Sequence, residues 1–522
     1  MKNNVNYFIS GLIFLIGFSS FGQNSYWKSS SSKGNLNALP ISKLNPNHFK
    51  VLHINEAVLR TNLVNTPKRG SNYNKKNISI PNQNGEAEVF KVYEAPVFSQ
   101  ELSKKFPEIR SYIGFGIHNK AVLRMSVSPQ GINTMIDYKD KPTVFMQPIK
   151  GDSNKYIVYN KLSGADDNDL SGVLCDMNGD HSKIQAKTES SSYRDADDQL
   201  LRKYRLAVAA GGEYTSYHGG TVSGALAAIN TTMTRVNAIF ETDMAITFEV
   251  VDAIQLIYTN PATDPYSDDL GEWTDEAQRN LTNNLGEANY DIGHLFNGIG
   301  RNGRGGCIGC VCENGSKGRG YSSVEIPENT VFDMLVAHEI GHQLAANHTF
   351  SHRLETFDVN SEPASGSTIM SYAGTVNDNN LQSVPDPYFH YQSIKQVLNN
   401  VNSSPNRCAQ ITPISNAPPV ANAGSNYNIP AGTAYILKGN ATDPNGGDAL
   451  TYCWEQIDFG TIVSFETYGP TLTSGSVNRS LPPNSNPNRY IPKLSRVIAG
   501  ELTEIDPTID DDWETVLRLV EH

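Results

Sequence analysis

Three absences narrow the reading of this sequence. No basic stripe with aromatic residues between its charges runs through the 522 residues, and 42 Lys and Arg stand against 54 Asp and Glu, a net charge of −12. That balance favours solubility, says little about substrate and argues against nucleic acid as a partner. Beyond the N-terminus no segment approaches the ~18 continuous apolar residues a spanning helix needs, so no stable membrane span is expected once the N-terminal segment is removed. No internal repeat of usable length is visible. Cysteine is sparse too: Cys175, Cys307, Cys310, Cys312, Cys408 and Cys453. Six cysteines allow 15 disulfide connectivities, among which sequence does not choose. The cluster Cys307-x-x-Cys310-x-Cys312 lacks a second pair at zinc-finger spacing, so a disulfide is the first reading, with a metal or redox pair as the alternative.

What is present begins at the N-terminus. Lys2 precedes a short apolar run from Tyr7 to Phe21, with Ser20-Phe21-Gly22 as a small-residue cleavage site. That is the layout of a secretory signal over residues 1–22, the alternative being an uncleaved anchor, and it predicts export into an oxidising compartment. At roughly 100–200 residues per domain, the length predicts three to four folded units. Residues 23–200 form a pro-segment in this reading, loosely ordered to about 80 and then β-rich, with runs at Glu88–Tyr93, Ala121–Ser128 and Lys155–Tyr159. Asp176–Leu201 has linker composition, and Arg194, Arg202, Lys203 and Arg205 offer cleavable bonds.

From residue 201 to 412 strands and helices alternate. Strands are predicted at Tyr204–Ala210, Ala245–Val251 and Tyr290–Phe296, an amphipathic helix over Ser223–Thr242 and a weaker one over Thr274–Leu285. This predicts an α/β layer on a mainly parallel sheet. From 417 to 522, short β-like runs at Val420–Gly424, Tyr435–Leu437 and Leu450–Gln456 predict a small β-sandwich.

The chemistry lies in His338-Glu339-Ile340-Gly341-His342 and His348. The residues before this run read as a helix capped by Thr330, with Asp333 as the reciprocal acid. On a helix His338 and His342 lie one turn apart on one face, so both imidazoles reach one ion. Glu339 is placed to take a proton from water at that ion. His348 returns to the metal only if the helix ends near Ala345 or Ala346. Three protein ligands leave a fourth position open, which marks catalytic rather than structural zinc.

These residues resemble the metzincin metallopeptidases, defined by HExxHxxGxxH and a following Met-turn. Ser367-Thr368-Ile369-Met370-Ser371-Tyr372 resembles the Met-turn, and residues from about 200 to 410 are similar to bacterial reprolysin-like (M12B-type) enzymes. The resemblance implies an α/β (α+β) fold with a twisted mixed sheet and an active-site helix, preceded by a pro-segment and followed by a PKD/Ig-like module. It implies one zinc on His338, His342 and His348, with Glu339 as general base and acid in the hydrolysis of internal peptide bonds of proteins or peptides. It places Met370 as an apolar floor and Tyr372 near the oxyanion, the alternative for Tyr372 being simple packing. It also implies an edge strand aligning the substrate, for which Gly320–Ser323 is the candidate. One position departs: the family's glycine is Ala345, where a left-handed alanine costs about 1–2 kcal/mol unless Asn347 takes that conformation instead. Thr349 also differs from the Asp that animal reprolysins carry there.

Cys175 is a candidate latency switch, since a thiolate could fill the fourth zinc position, with a disulfide partner or inert thiol as the alternative. Asp443–Asp448 resembles a calcium-binding turn but is more often a plain turn. The competing function is a catalytically inactive zinc-binding adhesion protein, motivated by Ala345 and the appended β-module. Val520-Glu521-His522 ends without a closing strand, as expected of a piece of a longer protein.

Overall fold

The computed structural model describes residues 26–29, 49–71, 76–160, 174–175, 196–355, 359–430, 432–507 and 513–514. The signal expected over 1–22, and most of the linker including Arg194, lie outside these residues.

Alternating apolar and polar residues build an N-terminal sheet of nine strands: β1 (Trp27–Ser29), β2 (Phe49–Ile54), β3 (Lys76–Pro81), β4 (Ala87–Glu94), β5 (Arg110–Gly116), β6 (Val122–Ser128), β7 (Gly131–Asp137), β8 (Val144–Ile149) and β9 (Asp152–Asn160). They pair antiparallel in the order β1-β2-β9-β8-β7-β6-β5-β4-β3. One face closes over Leu59 and Leu63 of helix α1 (Glu56–Leu63). The other presents Phe145, Ile157 and Tyr159 toward Ala238 of the central region. The tight β6–β7 hairpin needs Gly131 at φ +124°, where a Cβ would stand 2.9 Å from Pro148.

The central sheet contains β10 (Leu174–Cys175), β11 (Leu200–Ala210), β12 (Ile246–Val250), β13 (Ile292–Asn297), β14 (Arg301–Arg304), β15 (Gly320–Val324) and β16 (Gln410–Pro413). Its order is β10-β14-β15-β13-β11-β12, with β16 antiparallel on the first half of β11. β12, β11, β13 and β15 run parallel, while β14 is antiparallel to β15. The sheet is therefore mixed. Helix α2 (Gln100–Lys105) lies in the connection between β4 and β5 of the N-terminal sheet, and α3 (Gly212–Tyr217), α4 (Val222–Met244) and α5 (Trp273–Asn284) belong to the central region. Thr221 caps α4 through Gly224 N–H, and Ala245 ends it in the left-handed region, so the strand expected from Ala245 starts at Ile246.

Helix α6 (Asn329–Gln343) packs across β15 and α4. Its N-cap is Glu328 with no side-chain cap bond, so the expected Thr330 cap is corrected. Asp333 is instead buried in a 2.7 Å ion pair with Arg235 of α4. After α6 the chain runs without a long element to α7 (Tyr391–Val401).

The C-terminal region forms two antiparallel pairs, β17 (Val420–Asn422) with β19 (Asn440–Thr442), and β18 (Tyr435–Lys438) with β20 (Asn488–Ile491), followed by α8 (Leu494–Ala499). The strand expected over Leu450–Gln456 is reduced to one bridge, Tyr452 with Asn484. The disulfides are Cys307–Cys310 and Cys312–Cys408, and Cys175 and Cys453 are free thiols. Among the described residues no helix is long and apolar enough to cross a membrane.

Candidate metal centre and active site

The last turns of α6 carry His338 and His342 on one face, and the helix then stops abruptly. Ala346 N–H reaches Gly341 O and Ala345 N–H reaches His342 O, both at 2.9 Å, which is the Schellman pattern of helix ends. Ala345 takes the position such a turn reserves for glycine, with φ +94°. Asn347 does not take it, and the turn closes with alanine in place. The chain then doubles back and delivers His348 beside the helix.

The three Nε2 atoms converge, with His342 at 3.1 Å from both His338 and His348, and His338 at 3.3 Å from His348. Each ring's other nitrogen faces a fixed acceptor. His338 Nδ1 donates to Ile369 O at 2.7 Å, His342 Nδ1 to Ala346 O at 2.7 Å, and His348 Nδ1 to Glu355 at 3.0 Å. With the proton on Nδ1, every Nε2 offers a lone pair to one point. Three lone pairs this close repel each other unless a cation stands among them. The edge of a tetrahedron about an ion at 2.0–2.1 Å is about 3.3–3.4 Å, so the separations suit zinc. Cys175 Sγ lies 3.5 Å from His342 Nε2, near the roughly 3.6 Å edge expected for a thiolate and an imidazole on one zinc. These four donor atoms lie within 4.8 Å of one another. Burial, reinforced at His342 and His348 by the neighbouring imidazoles, holds the rings' proton affinity low, His338 at about 4.

Glu339 is fully buried, with Oε2 3.7 Å from Cys175 Sγ, and burial pushes its carboxyl up to about 8. A Cβ at residue 303 would lie 2.3 Å from Glu339 Oε1, so the neighbouring strand must carry Gly303 there. Met370 is buried against α6, where a Cβ on Gly341 would come within 2.7 Å of its sulfur. The Tyr372 ring lies 4.6 Å from that of His348, and its hydroxyl donates to Cys175 O at 2.8 Å. An apolar pocket opens beside His338, between Val331 and Leu335 of α6 and Ala373, Thr375 and Pro385 after the Met-turn.

Several sequence expectations need correction. Gly320–Ser323 lies in β15, an interior strand with β13 on one side and β14 on the other. The outermost strand beside the site is the two-residue β10, whose Leu174 and Cys175 pair with Asn302 and Gly303 of β14 in the parallel sense. Arg202, Lys203 and Arg205 do not offer cleavable bonds, because they are paired within β11, Arg202 and Lys203 between β12 and β16 and Arg205 with Glu249 of β12. In the Asp443–Asp448 turn, Asp443 accepts Asn445 N–H at 2.7 Å and Lys120 Nζ donates to Gly447 O at 3.3 Å. Glu355 is a functional residue that sequence reasoning missed, since nothing in the motif marks a carboxylate seven residues beyond its histidine. His294 is a satisfied core histidine, between Gln343 and Ser322.

A buried, tautomer-fixed trio of imidazoles, two of them on α6 and the third on the chain that returns beside it, with an adjacent carboxylate, defines a zinc-dependent peptidase. Residues 201–401 match the family model described as metallo-peptidase family M12B, reprolysin-like. The chain thus carries an M12B reprolysin-like metallopeptidase domain. No curated protein matches the chain.

Proposed function

We propose that the chain is an exported endopeptidase made in a latent form, in which His338, His342 and His348 hold the zinc, Glu339 handles the proton and Cys175 keeps the site closed. The observation that carries this reading is the convergence of three Nε2 lone pairs and the Cys175 sulfur beside a buried Glu339. Zinc bound there supplies the Lewis acidity that activates water and polarises the scissile carbonyl. Glu339 takes the proton of the attacking water and returns it to the nitrogen of the departing amine. Tyr372 O–H, once freed from Cys175 O, donates to the substrate's carbonyl oxygen as charge develops there. Met370 shapes the floor without donating.

Displacing β10 would expose the backbone groups of β14, on which a protein or peptide substrate adds as a strand. β10 runs parallel to β14, opposite in direction to the antiparallel substrate of the enzymes this domain resembles. Its own peptide bonds therefore meet Glu339 in the reversed sense. The pocket between α6 and Pro385 fits an apolar side chain of the substrate. Two disulfides support export, because such bonds persist in oxidising compartments. The antiparallel pairs after residue 417 support a small PKD/Ig-like module.

The test is casein hydrolysis by the processed protein with Glu339→Ala alongside. Cleavage by wild type, and none by a variant that still holds zinc, is the expected result. Equal activity in both would overturn the role of Glu339. Cys175→Ala should show activity in the unprocessed chain, and a variant that stays fully latent would remove the cysteine from the account.

A further inference from the structure

Between the end of α6 and the start of α7 the chain carries His348, Met370, Tyr372 and one wall of the apolar pocket, with a single 3₁₀ turn, at Asn377–Asn379, among the described residues. So long a stretch with so little regular structure needs outside support. Some support is internal: the buried Glu362 accepts from Thr349 Oγ1 at 2.5 Å, Thr368 Oγ1 at 2.6 Å and Ser367 N–H at 2.9 Å.

The rest comes from the C-terminal region. Val463 crosses the neck of the loop that follows His348, donating its N–H to Ser351 O at 3.1 Å and accepting from Ala364 N–H at 2.7 Å. The loop closed at that neck carries Glu355, the partner of His348. Ala364 sits at φ +50°, a conformation that persists only where its surroundings over-determine it. It is buried with Leu381 against Val463, Tyr468, Val477 and Trp513 in one apolar cluster. Further along, Phe465 N–H donates to Asn379 Oδ1 at 3.1 Å, Ser367 Oγ donates to Ser480 O at 3.0 Å, and Tyr388 and Ser480 share a 2.7 Å hydroxyl contact. Arg479 also hydrogen-bonds Gln382.

We propose that residues 457–480 are a brace for the peptidase site, with Val463 and Ser480 as positioning residues that fix the His348–Glu355 loop and the wall of the apolar pocket. The C-terminal region is then an obligatory part of the peptidase and not a separable module. The proposal rests on the zinc-peptidase reading of the site, but it has readouts that do not depend on catalysis.

The experiment compares the full chain with Val463→Asp and Ser480→Ala, and with Tyr427→Ala, an exposed position in the same region, as control. Three quantities are read: trypsin cleavage after Arg353 in chelator, zinc loss to a competing chelator, and, after processing, kcat and KM on peptides differing in the side chain that enters the pocket. The brace predicts faster cleavage after Arg353 and faster zinc loss in both variants, with zinc retention weakened by about tenfold or more in Val463→Asp. It predicts a KM rise larger than the kcat loss in Ser480→Ala, and no change in Tyr427→Ala. Wild-type rates of cleavage and zinc loss in both brace variants would overturn it. If Val463→Asp does not fold, Ser480→Ala decides. If the wild type hydrolyses no peptide, the zinc-peptidase reading fails, while the cleavage and zinc measurements still decide the brace.

Discussion

Ala345 shows how a departure from a motif is absorbed. Its φ of +94° is disfavoured for any residue with a Cβ, by about 1–2 kcal/mol, yet the two bonds to Gly341 O and His342 O hold it there. Ala345→Gly should therefore raise stability by about 0.5–1 kcal/mol, after the entropy glycine adds to the unfolded chain is subtracted. Urea unfolding of the full chain measures this, and a loss of stability would show that the Cβ makes a contact that matters. At Glu355 the expectation runs the other way. Glu355→Ala leaves His348 Nδ1 without its acceptor, so zinc affinity should fall about 10–100-fold in a chelator competition. Unchanged affinity would mean that packing against Phe350 and Tyr372 alone orients the ring. The ligands and Glu339 were legible in the sequence because helical periodicity fixes their relative positions. Glu355 was not, because it reaches His348 through a loop whose path no local pattern encodes.

α4 is one element through which the N-terminal sheet meets the peptidase domain. Ser126 and Thr231 share a 2.8 Å hydroxyl contact, Ser111 donates to Asn230 at 2.7 Å, and Glu241 accepts from Arg124 at 2.7 Å and Arg69 at 2.6 Å. Burial alone would raise the Glu241 carboxyl, but the two guanidiniums outweigh it and hold it at about 2. A depressed pKa contributes stability that is fully present above the ordinary glutamate value, near 4.3, and is lost as pH falls toward 2. The docked sheet should accordingly loosen as pH falls below about 4.3, and Glu241→Gln should abolish that part of the acid dependence in melts taken between pH 3 and 7. An unchanged pH profile in the variant would place the acid sensitivity elsewhere. On the same helix, Arg235 is buried with Asp333 of α6, so Asp333→Ala should destabilise by about 3–5 kcal/mol by stranding a buried cation. The amphipathic helix over 223–242 was legible from its period, whereas the partners of Asp333 and the interior position of β15 were not. A strand's place in a sheet depends on its neighbours, and Gly320–Ser323 looks no different inside than outside.

For the whole molecule, the boundary between the N-terminal sheet and the peptidase domain is not clean. Ser99 N–H donates to Val250 O at 2.9 Å and Val250 N–H to Val97 O at 2.8 Å, covering the outer edge of β12, while Phe98, Leu102 and Ile109 are buried in the central core. A chain lacking residues 1–160 exposes that edge and an apolar gap, so it should refold poorly and aggregate. Light scattering during refolding, with and without residues 26–160 added as a separate chain, tests this, and efficient unaided refolding would show that the covering is dispensable. Composition could announce β-rich flanking regions but not their shared core, since the contacts join residues more than a hundred positions apart. The ladder of β11 with β16 has a mechanical consequence. Leu200 pairs with Pro413, so the chain enters and leaves the peptidase domain at one corner. Tension applied through Gln199 and Ile414 peels this antiparallel ladder from its open end, one bond pair at a time. The peel stops at Cys408, where the bond to Cys312 ties the strand into the body of the domain. The seam thus yields under load before α6 and its histidines feel any force.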